Sequence, residues 1–181
     1  MRTALVADPI FREHLAGHSG HPERPERYDA VVRSLEKSGL IRDLTTIASR
    51  SATEDELRLC HTLEYLRIAR RDIESGVPYL STGDTDIGPK SWEAAACAVG
   101  GVLSAVDAVI TGAAQNAFCA VRPPGHHANA ARGMGFCLFN NVALAAEFAI
   151  RELGARRVCV LDWDVHHGNG TAEAFRRRGM R

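Results

Sequence analysis

Short apolar runs alternate along the chain with longer stretches in which apolar residues recur every three or four positions. That alternation predicts strands interleaved with amphipathic helices. The run Thr3-Ala-Leu-Val-Ala7, halted by Asp8 and Pro9, predicts a buried strand feeding a loop. The loop carries His14, His18 and His21, and Pro25 suits the first turn of a helix. Tyr28, Val31, Val32 and Leu35 then fall at helical spacing up to a stop at Gly39. Residues 44–48 predict a second strand. Thr53 and Glu56 have capping-box spacing and open a helix with Leu59, Leu63, Leu66 and Ile73 on one face, ended by Gly76 and Pro78. After a polar loop with Asp84 and Asp86, one stripe of Trp92, Ala95, Ala96, Val99, Leu103, Val106 and Ile110 predicts a long helix. A strand is expected at 117–121. Asn141 is placed to cap a helix that is apolar nearly all round from 142 to 153 and stops at Gly154. Residues 157–163 contain the unbroken apolar run Val158-Cys-Val-Leu161, which predicts a strand buried on both faces of a parallel sheet. The pattern implies one α/β domain, or part of one, with no repeat or linker to divide it.

Composition narrows the function classes. With 22 Lys plus Arg against 22 Asp plus Glu, no global field draws the chain onto nucleic acid or an anionic membrane. The apolar stretch before Asp8 is too short for a signal-peptide core or a membrane span. The five cysteines lack paired metal spacing, and several sit in apolar runs, which fits free thiols in a reducing, cytoplasmic setting.

The candidate chemistry lies where apolar runs end, the place at which open α/β sheets bind their ligands. In Asp162-Trp-Asp-Val-His-His-Gly-Asn-Gly-Thr171, extended geometry would put Asp162, Asp164 and His166 on one side, with Trp163 and Val165 on the other. Such oxygen and nitrogen donors suit Zn²⁺ or another divalent first-row ion. A capping or loop hydrogen-bonding pair is the competing reading. In Arg122-Pro-Pro-Gly-His-His-Ala128 a stiff turn aims His126 and His127, a pair able to serve as an acid/base device or simply to sit on a loop surface. Between them, Gly135 and Phe136 could line a narrow apolar slot, and core packing is the alternative for Phe136.

These stretches, together with Gly135-Phe-Cys-Leu-Phe-Asn-Asn-Val-Ala143 and His21-Pro-Glu-Arg-Pro-Glu-Arg27, resemble the histone deacetylase superfamily, including acetylpolyamine amidohydrolases and acetoin-utilisation proteins. The resemblance implies an arginase-like three-layer α/β/α fold with a parallel sheet. Residues 1–181 would be the amino-terminal part of a single deacetylase domain, incomplete at the C-terminus. It implies a metal, Zn²⁺ with Fe²⁺ as the alternative, held by Asp164 and His166 and by an aspartate from much later in the family's domain. By the same matching His126 and His127 are the catalytic pair, oriented by Asp162 and Asn169, while Gly135 and Phe136 line the acyl-lysine tunnel. Asn169 and Trp163 resemble the class II pattern. Asp162, with the carbonyls of Asp164 and His166, resembles the family's structural K⁺ site.

The implied reaction is metal-dependent hydrolysis of an acetyl amide, on protein lysine or polyamine, to acetate and free amine. The family's oxyanion-stabilising tyrosine comes from a Gly-rich loop, and none of Tyr28, Tyr65 or Tyr79 lies in one. A non-catalytic fragment that binds metal weakly, self-associates or pairs with another chain is therefore the competing expectation. A manganese ureohydrolase would need Asp-x-His-x-Asp where this chain has Asp-x-Asp-x-His-His.

Overall fold

The computed structural model describes residues 2–18 and 20–176. Strand β1 (Thr3–Val6) is central in a three-stranded sheet of order β2-β1-β3, with β2 at Leu44–Thr46 and β3 at Asn116–Cys119. Both pairings are parallel, with Thr3 opposite Leu44 on one side and opposite Asn116 on the other. The ladder runs one residue past each outer strand, because Ile47 N–H donates to Leu5 O and Ala120 N–H donates to Val6 O.

Among the described residues six α-helices accompany the sheet: α1 (Pro25–Lys37), α2 (Glu54–Leu57), α3 (Leu63–Glu74), α4 (Ser91–Ile110), α5 (Asn141–Arg151) and α6 (Asn169–Arg176). Helix α4 packs on β1, β3, α3 and α5. By length and composition it could cross a membrane, yet half of its most apolar window is buried inside the protein. Its burial is broader than one stripe, since Ala94, Ala98, Gly100 and Gly101 are enclosed as well, while Ile110 is exposed. Glycine at 100 has a direct cause: a Cβ there would lie 2.0 Å from the Arg50 carbonyl oxygen. The segment before α2 can therefore cross α4 backbone to backbone. The larger core gathers Leu57, Tyr65, Leu66, Leu103, Phe139 and Leu144, and a smaller one joins Val6, Phe11, Tyr28 and Ala98.

Three expectations are corrected. The single helix expected after Thr53 is two. The capping box forms, with Glu56 N–H donating to Thr53 Oγ1 and Thr53 N–H to the Glu56 carboxylate, but α2 ends after Leu57. A fresh cap at Thr62 starts α3. The break is tertiary: Thr62 N–H donates to Ala130 O, and His61 is buried against Asn129 O and Asn140 N. Second, Asn140 rather than Asn141 caps α5, accepting from Ala143 N–H at 3.0 Å.

The third correction concerns residues 157–163. They run without regular structure and are paired to no strand among the described residues. They are not buried on both faces: Leu161 is 80% and Trp163 90% exposed. An apolar run records a preference for burial, not the identity of the neighbour, and no described strand lies beside this one to complete a ladder.

Candidate active site

The loop that leaves β3 is fixed at its base by Arg122. This side chain is buried, and its guanidinium donates to both Glu23 carboxylate oxygens (2.6 and 2.5 Å), to Phe11 O (2.6 Å) and to His14 O (3.1 Å). A buried charge is tolerated only when paired and hydrogen-bonded in this way. Beside it, His14 Nδ1 lies 2.8 Å from Ser91 Oγ. Burial, with Arg122 adding to it, pushes the His14 imidazole down to about 3.

Farther along, the loop backbone is held from below. Asn140 Nδ2 donates to Ala128 O (2.9 Å), and Thr171 N–H donates to His126 O (3.1 Å). Under Asn140 lies His61, whose Nε2 accepts from Asn140 N–H (3.0 Å). Its Nδ1 must then carry the proton it donates to Asn129 O. Complete burial pushes that ring down to about 4, and it stays neutral at physiological pH.

His126 and His127 stand side by side on this platform, ring centroids 4.1 Å apart. His126 Nδ1 meets Asp162 Oδ2 at 2.9 Å, and His127 Nδ1 meets Asn169 Oδ1 at 2.6 Å, where α6 begins. Carboxylate and amide oxygens accept only, so each Nδ1 is the donor and each Nε2 is left for proton transfer. The hydrogen bond from His126, then that from the Asp164 N–H, holds the Asp162 carboxyl below the usual carboxylate range.

Asp162, Asp164 and His166 are not set apart from Trp163 and Val165 as strand alternation predicts: Val165 lines the same hollow as the three donors, and Trp163 borders the next one with Asp162 and Asp164. The backbone is not a plain strand there, because Asp164 N–H folds back on Asp162 Oδ1 (3.1 Å) and His166 N–H on Asp164 Oδ1 (2.8 Å). His166 Nδ1 and Asp164 Oδ1 face each other at 2.9 Å, and the His166 ring is 6.2 Å from that of His127. Hydrogen bonds from His166, backbone first, lower the Asp164 carboxyl. This is the loop hydrogen-bonding pair of the competing reading, with the imidazole 74% and the carboxylate 50% exposed, and the two groups are donor types that suit two positions of a divalent-ion set. Among the described residues, no group of three or more His, Cys, Asp and Glu is placed to share an ion.

Gly135 and Phe136 close the other side. Both have positive φ, +54° and +68°. A Cβ on residue 135 would come 2.4 Å from His127 Cδ2, so only glycine lets the backbone pass the imidazole. Gly135 N–H donates to Asp84 Oδ1 (3.0 Å), and Phe136 meets the His21 ring edge-on, centroids 4.9 Å apart. His21 is itself held between Glu23 O (2.7 Å) and Asp86 Oδ2 (3.1 Å).

Sequence reasoning named His126, His127, Gly135, Phe136, Asp162, Asp164, His166 and Asn169, and the structure brings all eight to one neighbourhood. It missed the support: Glu23 with Arg122, His14 with Ser91, His61 with Asn140, and Thr171. Partners separated by 99 residues, as Glu23 and Arg122 are, leave no spacing signal.

Known proteins share this arrangement of sequence and fold. The chain is 43% identical over 158 residues to the human polyamine deacetylase HDAC10, covering 84% of this chain and 24% of that protein. It is 41% identical over 193 residues to the histone deacetylase-like amidohydrolase of Pseudomonas aeruginosa, covering 98% and 50%. The crystal structure of the HDA15 HD domain superposes with a TM-score of 0.88 at 38% identity, over 96% of this chain and 50% of that one. The chain thus spans half or less of the length of these relatives. The histone deacetylase domain profile matches residues 21–180, and the chain belongs to that family.

Proposed function

We propose that this chain supplies the catalytic histidine pair and two metal ligands of a metal-dependent deacetylase, which hydrolyses an acetyl amide to acetate and free amine in a domain of the relatives' length. The observation that carries the reading is the paired orientation of His126 by Asp162 and His127 by Asn169, beside the Asp164 and His166 donors. The family is typically zinc-dependent. Asp164 and His166 would hold that ion, which supplies Lewis acidity to polarise the acetyl carbonyl and to acidify water. His127, its Nδ1 proton committed to Asn169, takes a proton at Nε2 as general base and returns it to the leaving amine. A neutral amide steadies the resulting imidazolium less than a carboxylate would. His126, held through Nδ1 by Asp162, stands beside His127 at the same place. Phe136 and His21 wall the approach of an acetylated amine, protein lysine or polyamine. All of this fits a reducing, cytoplasmic compartment, where the cysteines stay free.

In such a domain, His127→Ala should lower turnover by roughly 10²-fold or more with metal content intact. Loss of the metal with retained turnover per ion would reverse the roles. A second reading, that the 181-residue chain is not a competent enzyme unaided, is favoured by the pair of donors at Asp164 and His166. A catalytic zinc normally takes three protein ligands.

A further inference from the structure

The break between α2 and α3 replaces one continuous helix by two, and each added end leaves backbone groups to be satisfied. The gap presents His61 and Thr62, and both reach the loop that bears His126 and His127. Four carbonyls of that loop accept from outside it, at 2.8–3.1 Å: His126 O from Thr171 N–H, Ala128 O from Asn140 Nδ2, Asn129 O from His61 Nδ1 and Ala130 O from Thr62 N–H. His61 also accepts from Asn140 N–H, so one ring ties the histidine loop to the cap of α5.

That ring is buried against Tyr65 and Phe139, with centroids 5.4 and 5.5 Å away, which hold its orientation. Only the neutral form with its proton on Nδ1 serves both partners. The other tautomer would set its own N–H against the N–H of Asn140 and turn a lone pair toward Asn129 O. From Asn140 the constraint reaches His127 from two sides. The amide donates to Ala128 O, next to His127, and meets Thr171 Oγ1 at 3.2 Å. Thr171 shares the first turn of α6 with Asn169, whose Oδ1 accepts the Nδ1 proton of His127. Contact between α6 and the loop is close, for a Cβ on Gly170 would lie 2.2 Å from Ala128 O.

We propose that His61 is a positioning residue: through Asn140, its Nδ1-protonated ring sets the spacing between the histidine loop and α6 at which His127 donates to Asn169. The break between the helices is then what places this ring under the site. His127 keeps its proton on Nδ1, and Nε2 is the atom left to react. The chemical consequence rests on the proposed hydrolysis, and the geometry does not. Failure of His127→Ala to lower turnover would count against the hydrolysis alone, whereas the hydrogen bond is followed by spectroscopy.

The 181-residue chain, isotope-labelled at its histidine nitrogens, is followed by the tautomer of His127 and by exchange of its Nδ1 proton with water. In the parent that proton should sit on Nδ1, which an unconstrained histidine side chain disfavours, and exchange slowly. His61→Leu should shift His127 toward the Nε2–H tautomer and speed the exchange roughly tenfold or more. His61→Gln, whose amide offers a donor and an acceptor, should keep the parent signature. Tyr65→Phe removes another buried hydrogen bond, to Leu138 O (2.7 Å), and should lower the urea midpoint without moving His127. That control separates positioning from a general loss of stability. Thr171→Val deletes the hydroxyl that Asn140 meets and keeps the Thr171 N–H; it should loosen His127 as well, and it decides the matter should His61→Leu not fold. An unchanged His127 signature in His61→Leu, or in Thr171→Val where the former does not fold, would overturn the proposal. So would a disturbance of His127 by His61→Gln or Tyr65→Phe as large as that by His61→Leu.

Discussion

Replacing Glu23 by alanine removes the carboxylate that faces Arg122 and leaves a guanidinium enclosed in protein, with side-chain exposure of only 6%. Breaking a buried pair from one side costs about 3–5 kcal/mol, because the remaining charge has lost its compensation. Phe11 O and His14 O still accept from the same guanidinium, which places the expectation near the lower end, about 3 kcal/mol. For a domain whose total stability is about 5–15 kcal/mol, that is a large share. With a urea dependence of about 2 kcal/mol per molar, the unfolding midpoint should fall by about 1.5 M. Urea titration followed by far-ultraviolet circular dichroism measures this directly. The double replacement Glu23→Leu with Arg122→Leu should recover much of the loss, since exchanging both charges for apolar groups is often close to neutral. Recovery should stop short of the parent by about 1 kcal/mol, because the Phe11 and His14 carbonyls lose their donor. A Glu23→Ala chain within about 1 kcal/mol of the parent would refute the claim that this pair braces the loop bearing His126 and His127.

Stability should also respond to mild acid. His61 and His14 are held neutral, at about 4 and about 3, against an ordinary value of 6.5. Their contribution is complete above pH 6.5 and is lost as the unfolded chain takes up protons first, the loss amounting to on the order of 3 kcal/mol for His61 by pH 4. Urea midpoints measured from pH 7.5 to 5 should fall steadily, and His61→Gln should flatten the slope. At Gly135, alanine must adopt φ near +54° and push against the His127 ring. The expected cost is about 1–2 kcal/mol from the backbone alone. Nitrogen resonances of His127 should report loss of the Asn169 hydrogen bond, and an unaltered imidazole spectrum would mean that the neighbouring backbone yields instead.

How much the sequence could disclose depended on the range of the interaction that decides each feature. The helix faces of α1 and α3, the Thr53 capping box and the places of strands β1 to β3 follow from residues a few positions apart, and they were legible, whereas the pairing of the strands, which joins Thr3 to Leu44 and to Asn116, was not. Asp164 and His166 were expected side by side because Asp-x-His spacing is local, while the roles of the other site residues came from the family resemblance. The break between α2 and α3 was not, since it is made by Ala130 and Asn140 reaching back to Thr62 and His61. Residues 157–163 misled for a related reason: their composition states what surroundings they favour, and the surroundings come from elsewhere. The exchange of Asn141 for Asn140 as the α5 cap is a one-residue ambiguity that adjacent asparagines cannot resolve by type.

The Arg122 brace has a consequence for the order in which this protein assembles. Its hydrogen bonds reach back 99 residues to Glu23 and 111 to Phe11, so the loop that aims the two histidines is secured by long closures, comparable to that of the β1–β3 ladder. Loop closure must be completed before such contacts return any stabilisation, which makes them late events in folding. Helices α3 to α5 can consolidate on local contacts while the histidine loop is still unanchored. Acid/base geometry at His126 and His127 is then a property of the finished topology, and a collapsed intermediate with native-like helices would lack it.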